Sequence, residues 1–310
     1  MIIKVFNPIP QDGVFKCIDV LTQAKSVIWN KRFYRAGSFQ ISLSTRRLKV
    51  GDLILHGENS GIITKAVETY NGANYYGQDL KGIFAQRYIY DELTLNDTKE
   101  KILHTLATDL LMTGVRAVSG LSVIENQSAQ GEAVEFTTKG ENAESAISKF
   151  CTENEIGYDI SFSEENGMIF KTIYGTDKSN LLFFSREHRN MDSLEYTSDI
   201  SSEVNYVKPE EETEEQTASS DASEYTGILR REGKEISEAV ETLRGSANNL
   251  YKYGVDYRLG DYVSVGFKEF SAKKQITEIE FVYEPNNNQV IPIFGTENEN
   301  PIIKILKGRN

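Results

Sequence analysis

Val50-Gly51-Asp52-Leu53-Ile54 and Leu259-Gly260-Asp261-Tyr262-Val263 are the two stretches on which the fold turns. Each opens a short apolar strand with a Gly-Asp pair. After the first, a short loop leads into a longer strand holding Ile63-Thr64, which ends at Asn71-Gly72. After the second, a slightly longer loop leads into a strand holding Ile276-Thr277, which ends at Pro285-Asn286-Asn287-Asn288. Glycine permits a tight entry to a strand, and aspartate bonds backbone amides there. The repeated order of events predicts two small β-barrels of similar topology, separated by whatever lies between them.

Residues 1–95 carry the strands of the first barrel. Ile2–Phe6, Val14–Val20, Ser26–Phe33, Phe39–Leu43, Leu53–Leu55, Gly61–Tyr70 and Asn74–Leu80 each alternate or run apolar for a few positions. Asn71-Gly72 is a pair that a two-residue hairpin turn prefers, because both residues tolerate positive φ. Short strands with close turns suit a small barrel. Gly57-Glu58-Asn59-Ser60-Gly61 lacks the Lys-Ser/Thr of a phosphate loop and reads as a hairpin loop.

Residues 96–190 change to an α+β unit. Asp97 and Glu100 have capping-box spacing, and Ile102, Leu103, Leu106, Leu110 and Leu111 fall on one helical face before Gly114. A second helix spans about 142–155, with Ala143, Ala146, Ile147, Phe150 and Cys151 on one face and Gly157 as its stop. A hairpin follows, Tyr158–Phe162 and Met168–Tyr174 about a turn at 164–167.

Residues 191–310 return to strands as the second barrel. Lys208–Glu224 is acidic and nearly free of apolar side chains, which predicts a mobile loop. It lacks the alternating ligands and central glycine of a calcium loop. Residues 235–250 read as a short helical insertion, weakened at Gly245.

The composition limits what this chain can do. Its 46 acidic and 34 basic residues give a formal net charge of -12, which opposes general affinity for nucleic acid or an anionic membrane. Cys17 and Cys151 have no CxxC partner and read as reduced, mostly buried thiols. The N-terminal apolar run is too short for a signal peptide, and no stretch approaches the ~18 apolar residues of a spanning helix. His56, His104 and His188 have no ligand spacing, and GxSxG, HExxH and SxxK are absent. The sequence therefore assigns no catalytic, cofactor-binding or metal residues, and predicts no enzyme and no cofactor.

Further residues carry a resemblance. Trp29, Tyr34 and Ala36-Gly37-Ser38-Phe39 before an alternating strand resemble the N-terminus of the siphophage tail-hub family, the baseplate hub or tail-associated proteins of phages and prophages. Gly61-Ile62-Ile63, then Gly77, Asp79, Leu80 and Arg87, match further signatures in order, with Gln86-Arg87 where many members have paired arginines. Phe183-Phe184-Ser185, Asn190, Tyr196 and Asn205 resemble the junction into the second barrel, and Leu259-Gly260-Asp261 with Phe294-Gly295 resemble its close. Two departures stand out. The stretch from Arg230 to Gly254 is short against the family pattern, and the chain stops soon after Gly295, before the peptidoglycan-cleaving or fibre domain that some members carry.

The resemblance implies a structural protein of the virion tail tip, assembled in the host cytoplasm as a homotrimeric ring. Six barrels in such a ring adapt a sixfold tail tube to a threefold tip. The distal tail and tape-measure proteins would lie above it and a tip fibre or spike below. DNA would pass through without specific binding, past an inward face rich in Asp and Glu, and the chain would insert in no membrane. Two alternatives are a tail-associated cell-wall hydrolase and a tip module that stacks host glycans on its tyrosines. On the leading reading, Trp29 and Phe39 pack the first barrel and Gly37 permits a bend. Lys31, Arg32 and Arg35 face outward.

Overall fold

The computed structural model describes residues 2–124, 132–191, 194–199, 240–245, 250–268, 270–285 and 287–295. The predicted acidic loop at 208–224 lies outside the described residues. The chain forms two compact units, one of residues 1–194 with 244–294 and the other of 195–243 with 295–310. It is mainly β, with an α+β insertion, as the alternating patterns predict.

The first repeat holds β1 (Ile3–Phe6), β2 (Cys17–Leu21), β3 (Ser26–Arg32), β4 (Ser38–Leu43), β5 (Leu53–His56), β6 (Asn59–Thr69) and β7 (Gly72–Asp79). They lie in the order β3-β4-β7-β6-β5-β1-β2, all neighbours antiparallel. Alternation sets which face is buried: Phe39, Ile41 and Leu43 of β4 point inward and the polar residues between them outward. The predicted hairpin forms, but one residue early: Thr69 pairs with Gly72, so the turn residues are Tyr70-Asn71, neither at positive φ, and Gly72 opens β7 at φ +145°. The chain around Val14 is not strand, because Val14 only bridges back to Gln11. Leu80 belongs to a 3-10 turn, Leu80–Gln86, which Asp79 caps by accepting the Lys81 N–H at 3.1 Å.

The insertion follows. It comprises β8 (Tyr88–Ile89), β9 (Leu93–Asp97), α1 (Lys99–Ala107), a π-helical turn (Thr108–Met112), β10 (Leu121–Val123), β11 (Val134–Thr138), β12 (Glu141–Asn142), α2 (Ala143–Glu153), β13 (Gly157–Ser163) and β14 (Gly167–Ile173). α2 buries Ala143, Ala146, Ile147, Phe150 and Cys151, the face its spacing predicts. Removing Ile147 and Phe150 from water contributes roughly 1.5–3 kcal/mol each. Asn142 caps it by accepting the Glu144 N–H at 3.0 Å. The capping box predicted for α1 does not form. Thr98 is its N-cap, while Asp97 accepts the Thr98 N–H at 2.8 Å and pairs with Lys101 at 2.9 Å. Glu100 instead turns into the core beside His104. One apolar cluster joins Phe6, Phe33 and Leu53 of the first repeat to Ile102, Phe150 and Phe170 of the insertion.

The second repeat holds β15 (Phe183–Phe184), β16 (Glu195–Asp199), β17 (Val240–Arg244), β18 (Tyr262–Phe267), β19 (Phe270–Glu284) and β20 (Asn287–Gly295). β16 and β17 are neighbours. Of the helix predicted over 235–250, Val240–Arg244 is instead a strand with Thr242 and Leu243 buried, while 235–239 and 246–249 lie outside the described residues. A β-branched pair beside a buried leucine suits a pleated surface better than a helix broken at Gly245. The thiol prediction is corrected in half: Cys151 is buried, but Cys17 is exposed at the start of β2.

Candidate functional site

The Gly-Asp echo is a structural duplication down to single hydrogen bonds. In the first repeat the Gly51 N–H donates to the Ile63 carbonyl at 2.8 Å, and the Ile63 N–H donates to the Asp52 carbonyl at 3.1 Å. In the second repeat the Gly260 N–H donates to the Ile276 carbonyl at 2.8 Å, and the Ile276 N–H to the Asp261 carbonyl at 2.8 Å. The aspartates close the same local loop. Asp52 accepts the Lys49 N–H at 2.8 Å, and Asp261 accepts the Arg258 N–H at 2.9 Å. Both glycines sit at φ +96°, a conformation in which a Cβ is strained.

The Ile-Thr pair has its own role. Pairing of β6 with β7 slips by one residue between Ile63 and Lys65, and pairing of β19 with β20 slips between Ile276 and Glu278. Thr64 and Thr277 are therefore the extra residues of two equivalent β-bulges. A bulge sharpens the local twist, so each long strand bends at the same point.

The stretch Trp29–Leu43 is the seam that joins the two repeats. β3 pairs antiparallel with β19, from Arg32 opposite Glu278 to Val27 opposite Tyr283. The Phe33 N–H extends the ladder to the Thr277 carbonyl at 2.9 Å. Trp29 is fully buried and stacks on Phe39 with ring centroids 4.4 Å apart, as the sequence predicts. The basic residues do not face outward. Arg32 is 2% exposed and meets Glu278 at 3.0 Å inside the seam, while Lys31 and Arg35 are half-buried. Burying an arginine requires a partner on the facing strand, and Glu278 is separated from it by almost the whole chain, so no local signal marks it. The Tyr34 hydroxyl donates to Gln275 Oε1 at 2.5 Å, and Gln275 Nε2 donates to the Gly260 carbonyl at 3.0 Å, which ties the seam to the duplicated loop.

A polar cleft of about 650 Å³ opens beside the seam, bordered by Lys31, Asp79, Asp159, Lys178, Tyr253 and Asp261. Lys81 donates to the Arg32 carbonyl and lies 4.0 Å from Asp79. Burial raises the Asp79 carboxyl above its ordinary range, opposed by Lys81 and by the Gly37 N–H at 2.9 Å. Burial pulls the Lys31 ammonium down, but Asp159, with Tyr253, Asp79 and Glu58, outweighs it and holds the ammonium above its usual value. Asp261 accepts from Lys178 at 2.8 Å and from the Thr176 N–H at 3.0 Å. Tyr174 is pushed up to about 12 by burial and by Glu100, to which its hydroxyl donates at 3.3 Å. Asp79 and Asp261 are each committed to two backbone amides and a lysine, an arrangement that fixes loops and leaves neither as a free general base. Sequence alone misses Lys81 and Lys178, which sit in no motif. Asp261 is visible through the echo.

The histidines serve packing. His56 meets the Tyr283 ring edge-on at 4.5 Å, His104 lies 3.8 Å from Glu100, and the His188 ring shares a hydrogen bond with the Ser185 hydroxyl at 2.9 Å. Among the described residues no group of three His, Cys, Asp or Glu side chains is placed to hold a metal ion, and no helix is long and apolar enough to cross a membrane.

No known protein family and no curated protein matches the sequence. Solved structures do match the fold over nearly its full length. The prophage tail protein gp18 from Listeria monocytogenes superimposes with a TM-score of 0.55 at 14% identity, over 99% of this chain and 98% of that one. The 43 kDa tail protein of prophage MuSo2 from Shewanella oneidensis gives 0.53 at 11% identity, over 95% and 97%. A tail protein from Neisseria meningitidis gives 0.52 at 14% identity, over 95% and 96%. The chain thus has the fold of these prophage tail proteins.

Proposed function

We propose that this chain is a structural, non-enzymatic component of a phage or prophage tail tip, a baseplate hub built as a homotrimeric ring. The observation that carries the reading is the duplicated hairpin, found within a fold that matches prophage tail proteins from end to end. One chain with two equivalent repeats offers two copies of one surface. Three such chains present six quasi-equivalent repeats, which suits a ring between a sixfold tube and a threefold tip. β1 to β7 and β15 to β20 supply the repeats, and the α+β insertion lies between them in sequence. The distal tail and tape-measure proteins fit above such a ring, and a fibre or spike below.

The cleft favours the structural reading over the hydrolase, because Asp79 and Asp261 are spent on backbone amides. The test is made in the host strain after prophage induction. Gold-labelled antibody against this chain should mark one end of the tail, and deletion of its gene should yield particles without a complete tip. Intact, infectious tails in the deletion strain would overturn the proposal.

A further inference from the structure

We propose that the bare edge of β6 from Thr64 to Thr69 is a docking surface for a strand of a second copy of this chain. The duplication supplies the argument. In each repeat the first strand of the hairpin covers only the first half of the long strand. β5 pairs with Asn59–Ile62 of β6, and β18 pairs with Phe270–Gln275 of β19. Beyond the bulge the same edge differs between repeats. On β19 it is filled by β3, along Glu278–Tyr283. On β6, no strand among the described residues takes it.

Burial follows this difference. Glu278, Ile279 and Phe281 are buried, whereas Lys65, Val67, Glu68 and Thr69 are exposed. The open groups can be named. Thr69 and Gly72 flank a two-residue turn and so exchange both backbone bonds, which makes Lys65 and Val67 face β7 as well. The N–H groups of Ala66 and Glu68 therefore point off the sheet. The same parity, counted from Glu284 opposite Asn287, aims Ile279 and Phe281 at β3. An exposed strand edge with aligned donors and acceptors is a template for another strand.

The occupant follows from chain order. β3, β4, β5, β6 and β7 correspond in sequence to β16, β17, β18, β19 and β20. Within one chain, β3 of the first repeat pairs with β19 of the second. The matching contact places β16 of one copy on β6 of the next. β16 carries exposed Glu195, Tyr196 and Thr197. Such a contact joins unlike surfaces, so it propagates by rotation, and a rotation of one third of a turn closes it as a ring of three. The inference deepens the ring reading above and depends on it only for the number of copies.

The test uses the full chain with Cys17→Ser, since Cys17 is exposed. Val67→Cys is combined in turn with a cysteine at each position of β16, and the protein is oxidised at high concentration. Intermolecular disulfides should form at alternate β16 positions, with a ladder ending at three chains. A control pairing Tyr90→Cys with the same positions should give only background. Ala66→Pro removes one outward N–H without touching the β6-β7 ladder. It should weaken association by about tenfold or more at an unchanged melting temperature. Background-level or non-alternating cross-links, or an Ala66→Pro variant that associates like its parent, would overturn the proposal. A chain that labels tail tips yet forms no such cross-links loses this interface and keeps the tail assignment. One that cross-links yet labels no tail does the reverse.

Discussion

Gly51→Ala and Gly260→Ala form a matched pair of perturbations. Both glycines have φ +96° and both donate to the isoleucine before a bulge, so the backbone strain added by a Cβ is the same, roughly 1–2 kcal/mol. Their surroundings differ. A Cβ on Gly51 would meet nothing within 4 Å, whereas one on Gly260 would lie 2.2 Å from Cε2 of Phe33. Phe33 has little room, because a Cβ at Gly157 would also meet Cε2 of its ring, at 2.5 Å. Overpacking of this kind adds about 1–3 kcal/mol. Gly51→Ala should therefore cost about 1–2 kcal/mol and Gly260→Ala about 2–5 kcal/mol. Each kcal/mol lowers the melting temperature of a unit this size by about 2–4 °C. Urea unfolding gives the free energies, and a double-mutant cycle with Phe33→Ala isolates the steric part, expected at about 1–3 kcal/mol. Equal costs for the two glycines, or a coupling near zero, would refute the account of Phe33 packed closely against Gly157 and Gly260.

Trp29→Ala should cost about 3–5 kcal/mol, the penalty for emptying a large buried aromatic site. A loss below about 1 kcal/mol in the same assay would mean that the Trp29–Phe39 stack does not hold the sheet. Arg32→Ala takes the guanidinium from the buried Arg32–Glu278 pair inside the seam and should cost about 3–5 kcal/mol. The double variant Arg32→Met with Glu278→Leu should recover much of it. Burial holds the His56 imidazole below its ordinary value, so the unfolded chain takes up the proton first as pH falls. Stability is then full above about 6.5 and is lost as pH drops toward the lower folded value. His56→Phe should flatten that part of the stability–pH curve.

Local pattern made much of this fold legible. The buried faces of β4 and α2 follow from periods of 2 and 3.6, and the Asn-Gly pair marks the β6-β7 hairpin, although the turn itself falls on Tyr70-Asn71. The Gly-Asp echo marked the duplication because its hydrogen bonds span few residues and use side chains with narrow roles. The seam was not legible. Arg32 has the look of a surface residue until Glu278 faces it, and that pairing is a property of register between distant strands. The segment 235–250 failed for a related reason. Val240 and Thr242 are strand formers, but Glu235, Glu238, Glu241 and Arg244, three residues apart, imitate a helix face. Lys81 and Lys178 carry no pattern at all, because a lysine that braces a loop differs from a solvated one only in what comes near it.

The seam has a consequence for how the protein is made. Arg32 and Glu278 are 246 positions apart, so β3 leaves the ribosome long before β19 exists. At roughly 5–20 residues per second, the nascent chain carries β3 with its outer edge unmet for about 12–50 s. Trp29 and Phe39 can stack at once, but the edge of β3 waits for nearly the last strand to be translated. Early termination anywhere before β19 leaves a sticky ribbon where a joined sheet should be. Neighbouring ribosomes on one message hold several such ribbons close together, each able to accept the wrong strand. Slow translation late in the message would lengthen that exposure, and a chaperone that shields β3 would shorten it.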